Sequence, residues 1–304
     1  MRRTLSLLLC LLLLPAASWA VRYEKSDSIR VEALLRDGAA LPADSSLMLY
    51  YARQFLGLPY VGRTLESEDG REELVVNLRQ MDCTTLVETV TALTLATRHG
   101  GRHWADFCNW LLAIRYFDGQ MNGYASRCHY FSQWIASAER RGLVSEVKGG
   151  TGQRHYPFTQ VQKLDLHYMS HHRSAYPVIG SDEAEAVRVA KREQEFSGQQ
   201  VRYIPASLTG KGRRELSCIQ DGDILALVTS RDGLDVSHLG IAVWGSDGRL
   251  HLLNASSISH RVVLDSVPLY RYLQKHPSSV GIRVIRDLPV NLCACCGCPK
   301  RMKW

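Results

Sequence analysis

The sequence predicts an α+β fold, with helices through the first half of the chain and an antiparallel sheet in the second. Apolar residues recur at helical spacing up to about residue 141, and after Asp221 they follow strand periods separated by Asp-Gly turns. The 304 residues, 45% hydrophobic and 22% charged, suit one large globular domain or two small ones and exclude disordered and collagen-like chains.

The chain opens on Arg2 and Arg3, an apolar run over 5–14, Pro15, and the small residues Ser18 and Ala20, the pattern of a cleaved signal peptide over 1–20. A retained anchor would need an apolar run of about 20 residues. A lipoprotein signal at Cys10 would call for a small residue where Leu9 stands. Residues 21–290 are then expected to form one exported domain with helical insertions and no integral membrane segment. A Cys-rich tail over 291–304 follows it. Loss of Arg2 and Arg3 takes the net charge from +7 to +5, and the basic residues are scattered, so no nucleic-acid footprint is expected.

After a short polar lead, residues 44–57 read as a helix, with Asp44 as cap, Leu47, Tyr51 and Phe55 at fourfold spacing, and Gly57 as the stop. A loop over 58–62 and a short apolar run over 74–78 come next. The strongest helix spans 83–98, with Leu86, Val90 and Leu93 on one face and Gly100 beyond its end. Helices over 103–117 and 130–141 complete the first half. Residues 149–212 form an excursion containing the segment 167–172 and a helix over 182–196, whose charge run 183–195 reads as a solvated face. Strands are expected over 223–229, 237–244, 249–254, 262–265 and 280–286.

The helix over 83–98 begins Met81-Asp82-Cys83-Thr84-Thr85, so Cys83 sits in its first turn behind a capping Asp82. Free N–H groups and the positive end of the helix dipole favour a thiolate there, which predicts a lowered thiol pKa. A thiol nucleophile also needs a base, and the base an orienting partner. His238 heads the strand that leads into Gly245-Ser246-Asp247-Gly248; a hairpin folded about Ser246 would set Asn254 opposite His238. On that strand Gly240 and Ala242 share the face of His238 and are expected to let the sheet approach the nucleophile helix, with Leu239, Ile241 and Val243 on the other face. Cys83, His238 and Asn254 therefore form a candidate Cys-His-Asn triad. Eight cysteines follow the signal segment, and a free Cys83 leaves seven, which cannot all pair within one chain. His167 and His171 have metal-ligand spacing but no evident carboxylate or cysteine partner. Four cysteines crowded into 293–298 suit disulfide or redox use better than a zinc knuckle. The chemistry needs neither metal nor cofactor.

Asp82-Cys83-Thr84-Thr85-Leu86-Val87, Ser237-His238-Leu239-Gly240-Ile241-Ala242 and Asn254-Ala255-Ser256-Ser257 resemble the three signatures of NlpC-type papain-like cell-wall hydrolases. More narrowly, the chain resembles their N-acetylmuramoyl-L-alanine amidase-like family, with further matches at Gly57-Leu58-Pro59-Tyr60, Thr64-Leu65-Glu66, Arg115-Tyr116-Phe117-Asp118-Gly119, Ser126-Arg127-Cys128-His129-Tyr130-Phe131 and Gly222-Asp223-Ile224. The resemblance implies a papain-like core, the nucleophile helix packed on the sheet, and cleavage of the amide joining N-acetylmuramic acid to L-alanine. Peptidoglycan fragments, anhydro-muropeptides among them, would be the substrates. It also implies a bacterial periplasmic or extracellular location and a substrate cleft lined by Tyr60, Ser126, Arg127 and His129, Arg127 being suited to a peptide carboxylate. The chain departs from the family pattern at Asn254, where histidine is expected, and at Leu86, where phenylalanine is. The alternatives are a stem-peptide endopeptidase of the D-glutamate–diaminopimelate type and an inactive muropeptide-binding protein.

Overall fold

The strand periods after Asp221 become five consecutive strands, reaching one edge, of an eight-stranded antiparallel sheet with helices on both faces. The computed structural model describes residues 21–67, 69–148 and 156–288; the expected signal peptide and the Cys-rich tail lie outside the described residues. The first half runs β1 (Val21–Arg22), α1 (Lys25–Ala39), α2 (Leu47–Arg53), β2 (Leu74–Val75), α3 (Cys83–Arg98), α4 (Trp104–Arg115), α5 (Phe131–Arg140) and β3 (Val144–Glu146). The excursion supplies β4 (Gln160–Lys163), α6 (Tyr168–His171), α7 (Pro177–Ser181), α8 (Glu183–Phe196) and β5 (Gln200–Pro205). Then come β6 (Ile224–Thr229), β7 (Val236–Trp244), β8 (Leu250–Ser256), β9 (Arg261–Leu264), α9 (Leu269–Lys275) and β10 (Ser279–Asp287). The sheet order is β4-β5-β10-β6-β7-β8-β9, with β3 also on β10, while β1 and β2 form a separate parallel pair.

Both faces of the sheet are covered, which is why β6 reads Ile-Leu-Ala-Leu-Val-Thr with no polar alternation. Ile224 and Ala226 join the larger core under α1–α5, and Leu225 and Leu227 join a second core under α9. Strand β7 divides the same way, and here the sequence expectation is corrected. Leu239, Ile241 and Val243 pack in the core that holds α3, whereas Ala242 and Trp244 lie in the α9 core. Both faces of β7 are thus apolar and covered, and each large aliphatic side chain contributes about 1.5–3 kcal/mol when fully enclosed.

Several elements differ from expectation. Helix α1 lies in what reads as a polar lead, because Val31, Leu34 and Leu35 are buried at helical spacing within a charged stretch. Helix α2 starts at Ser46, whose hydroxyl accepts the Leu49 N–H at 3.3 Å, and not at Asp44. Strands β4 and β5 and helix α9 carry periods too short or too polar to announce themselves. The charge run of α8 is solvated except at Glu193, which is 2% exposed and accepts the Tyr130 hydroxyl at 2.6 Å and the Met169 and Ser170 N–H groups at 3.1 and 3.2 Å. His167 has the carboxylate partners the sequence did not suggest, Asp232 at 3.1 Å and Asp165 at 3.4 Å.

Candidate active site

Asp82 caps α3 in both directions. Its carboxylate accepts the Thr85 N–H at 2.8 Å, and its own N–H donates to the Thr85 hydroxyl at 2.9 Å. Such a cap stabilises the helix start by about 1 kcal/mol and fixes Cys83 as the first helical residue. Beneath it, Glu88 and Arg115 form a buried ion pair at 2.7 Å, and Arg115 also donates to the Val75 carbonyl at 2.7 Å, pinning the helix to β2.

The β7–β8 hairpin closes differently from the expected symmetric fold about Ser246. Trp244 pairs with Leu250, Ala242 with Leu252 and Ile241 with Leu253, so the centre is Asp247. The Gly245 N–H donates to the Arg249 carbonyl at 2.9 Å, and Gly248 takes φ +70°, giving a three-residue turn whose centre lies one residue later than expected. Asn254 is thereby displaced two residues along the ladder from His238 and becomes its diagonal neighbour on the same face. A bulge lies at the same place: Leu227 of β6 pairs with His238 while Val228 pairs with Val236. That extra residue re-aims the end of β7 around His238.

The imidazole Nε2 of His238 lies 2.8 Å from Asn254 Oδ1. Asn254 is fully buried, and its Nδ2 donates to Asp265 Oδ2 at 2.8 Å and to the Leu252 carbonyl at 3.4 Å. Both partners of Nδ2 only accept, so the amide has one orientation and Oδ1 must receive the Nε2–H of His238. Nδ1 is then the basic nitrogen. The Leu239 N–H donates to Cys83 Sγ, which sets the thiol against the residue that follows His238. Tyr272 of α9 stacks on the imidazole with ring centroids 6.2 Å apart.

Enclosure and the Asp82 carboxylate push the Cys83 thiol up to about 12, against the opposing hydrogen bonds from Leu239 and Thr84. This runs against the lowered thiol pKa expected from the helix start: removal from water and the Asp82 charge outweigh the hydrogen bonds from Leu239 and Thr84. Burial holds His238 below its ordinary value, opposed by the Asn254 hydrogen bond and by Asp265 and Asp82. Both groups therefore rest uncharged, Cys83 as the thiol and His238 as the imidazole.

Of the expected cleft residues, Tyr60 stands close to Cys83: its chain bridges Met81, and its phenol is raised by burial and by the nearby Cys83 and Asp82. The other three are engaged within the protein. Ser126 donates to the Gly123 carbonyl at 2.6 Å and accepts the Asn122 N–H at 2.8 Å. His129 Nε2 donates to the Tyr124 carbonyl at 2.9 Å, and burial followed by Arg127 takes its pKa down to about 3. Arg127 is 6% exposed; it pairs with Glu66 at 3.0 Å and Glu72 at 3.5 Å and lies over the Tyr124 ring. Its forked donors serve the protein's own carboxylates. Asp265 and Tyr272 were missed by sequence reasoning because their neighbours are reached only through the β8–β9 pairing and the packing of α9.

The family model for N-acetylmuramoyl-L-alanine amidase-like proteins matches residues 50–282, and the chain belongs to that family. An N-acetylmuramoyl-L-alanine amidase from Bacteroides uniformis is 37% identical with a TM-score of 0.73, over 83% of this chain and 99% of that one. A Bacteroides fragilis protein carrying a provisional xylanase designation is 39% identical with a TM-score of 0.71, over 78% and 99%. A Legionella pneumophila protein shares the fold at 22% identity and a TM-score of 0.63, over 87% and 96%. A comparison with curated proteins gives no match. Family and neighbours together make this a peptidoglycan amidase-like protein, and among the described residues no helix is long and apolar enough to cross a membrane.

Proposed function

We propose that the chain is an exported cysteine amidase of NlpC-type, papain-like design that hydrolyses the N-acetylmuramoyl-L-alanine amide of peptidoglycan fragments, anhydro-muropeptides among them. The observation that carries this reading is the fixed imidazole: Nε2–H held by Asn254 at 2.8 Å, with Nδ1 free to act and Sγ against Leu239. Nδ1 takes the thiol proton as Sγ bonds to the lactyl carbonyl carbon. First-turn N–H groups of α3 and the Tyr60 phenol stabilise the oxyanion. The imidazolium returns the proton to the nitrogen of L-alanine, the C–N bond breaks, and water then hydrolyses the thioester with His238 as base.

A glycosidase reading would need two free carboxyl groups flanking a sugar. Asp82 is spent on the helix cap and Asp265 on Asn254, so the site does not favour it. Incubation of a muramyl tetrapeptide with the protein, followed by mass spectrometry, is expected to give free muramic sugar and intact tetrapeptide. A sugar still bearing L-alanine and D-glutamate, with a released dipeptide, would overturn the amidase assignment and leave the cysteine mechanism standing. Binding without any product would point to an inactive muropeptide-binding protein.

A further inference from the structure

Asparagine is an awkward orienting residue, because its amide can rotate by a half turn and present Nδ2 where Oδ1 is needed. In that orientation the imidazole would have to offer a lone pair from Nε2, and Nδ1 would carry the proton and lose its use as a base. Here the two acceptors on Nδ2 oppose the rotation, and the shorter, charged contact is Asp265. Asp265 follows β9, its N–H donates to the Leu252 carbonyl at 2.9 Å, and its Oδ2 accepts Asn254 Nδ2 at 2.8 Å. A flipped amide would set Oδ1 against this carboxylate, in a place where Asn254 has no exposure to solvent.

We infer that Asp265 is a positioning residue, the fourth member of a Cys83–His238–Asn254–Asp265 chain, which locks the Asn254 amide and through it the reactive tautomer of His238. The arrangement explains how asparagine can stand in a family position where histidine is expected. The carboxylate supplies the polarisation that a neutral amide lacks, drawing the Nδ2 protons and leaving Oδ1 a stronger acceptor. The charged and titratable groups around His238 and Asp265 are Cys83 of α3 and its cap Asp82, His251 of β8, Tyr272 of α9 and His276 at the end of that helix.

Two variants separate orientation from charge. Asp265→Leu removes both, and is expected to lower kcat about 10–100-fold with little change in KM. Asp265→Asn keeps an acceptor without the charge, and is expected to retain more turnover while moving the acid limb of kcat/KM to lower pH, since a negative charge that favoured the imidazolium is gone. Asp265→Glu should restore part of the loss. The inference rests on the proposed amidase reading for its substrate, so the rate of Cys83 alkylation by iodoacetamide against pH is measured in parallel, with folding checked by circular dichroism. The alkylation limb should move with the kinetic one. Wild-type turnover and an unmoved limb in folded Asp265→Leu and Asp265→Asn would overturn the inference. A shifted alkylation limb, in a protein that cleaves no muropeptide, would keep the inference and discard the substrate.

Discussion

On the proposed mechanism His238 and Cys83 both start uncharged, and that would set the pH dependence. Burial lowers the imidazole below the ordinary histidine value of about 6.5, and enclosure takes the thiol up to about 12. Only the neutral imidazole accepts the thiol proton, so kcat/KM should fall as pH drops through the depressed histidine pKa and hold level through neutrality. A limb above the ordinary histidine range would contradict the neutral base. Between the two imidazole partners the losses should be unequal. His238→Ala removes the proton carrier, worth about 10²–10⁴-fold, whereas Asn254→Ala removes only orientation and should cost less. Asn254→His should keep turnover, because a ring nitrogen can accept from His238 and the other ring N–H can donate to Asp265. The larger ring in a fully buried position should cost about 1–3 kcal/mol of stability, read as a lower urea midpoint. Equal and complete losses at both positions, with the fold preserved, would remove Asn254 from an orienting role.

Helix α3 is buried on nearly every side, so its placement depends on more than one apolar stripe. The Glu88–Arg115 pair ties it to β2 and α4, and desolvation raises Glu88 while Arg115 lowers it. Arg115→Met should destabilise the protein by about 3–5 kcal/mol, because it strands a buried carboxylate. The double variant Glu88→Gln with Arg115→Met should recover much of that loss. Urea titration checks both, and equal midpoints for the single and double variants would show that packing, not the stranded charge, sets the cost.

At the scale of the whole molecule, the excursion is docked to the sheet core through Glu193, which holds α6 and Tyr130 together. Glu193→Ala leaves three buried or half-buried donors without their carboxylate, a cost of about 1–3 kcal/mol for each fully buried one. Hydrogen exchange should speed in α6, α8 and the segment between them and stay slow in β6, β7 and β8. Uniform acceleration would mean that excursion and sheet unfold as one unit.

The amino-acid sequence by itself determined helices α2–α5 and α8, strands β6–β10, the position of Cys83 behind the Asp82 cap, and the hairpin that carries His238 and Asn254. These are written in local periods, caps and turn residues, which neighbouring side chains decide. It did not determine the hairpin centre, because turns centred on Ser246 and on Asp247 share the same Gly-Ser-Asp-Gly signal. Helix α1 hid behind its charges until Val31, Leu34 and Leu35 found a core to enter. Only the tertiary structure decided the electrostatics of the site. The thiol pKa depends on how much water the sheet excludes from the helix start, and the Asn254 amide depends on Asp265, a residue 11 positions away that one strand pairing brings within 2.8 Å.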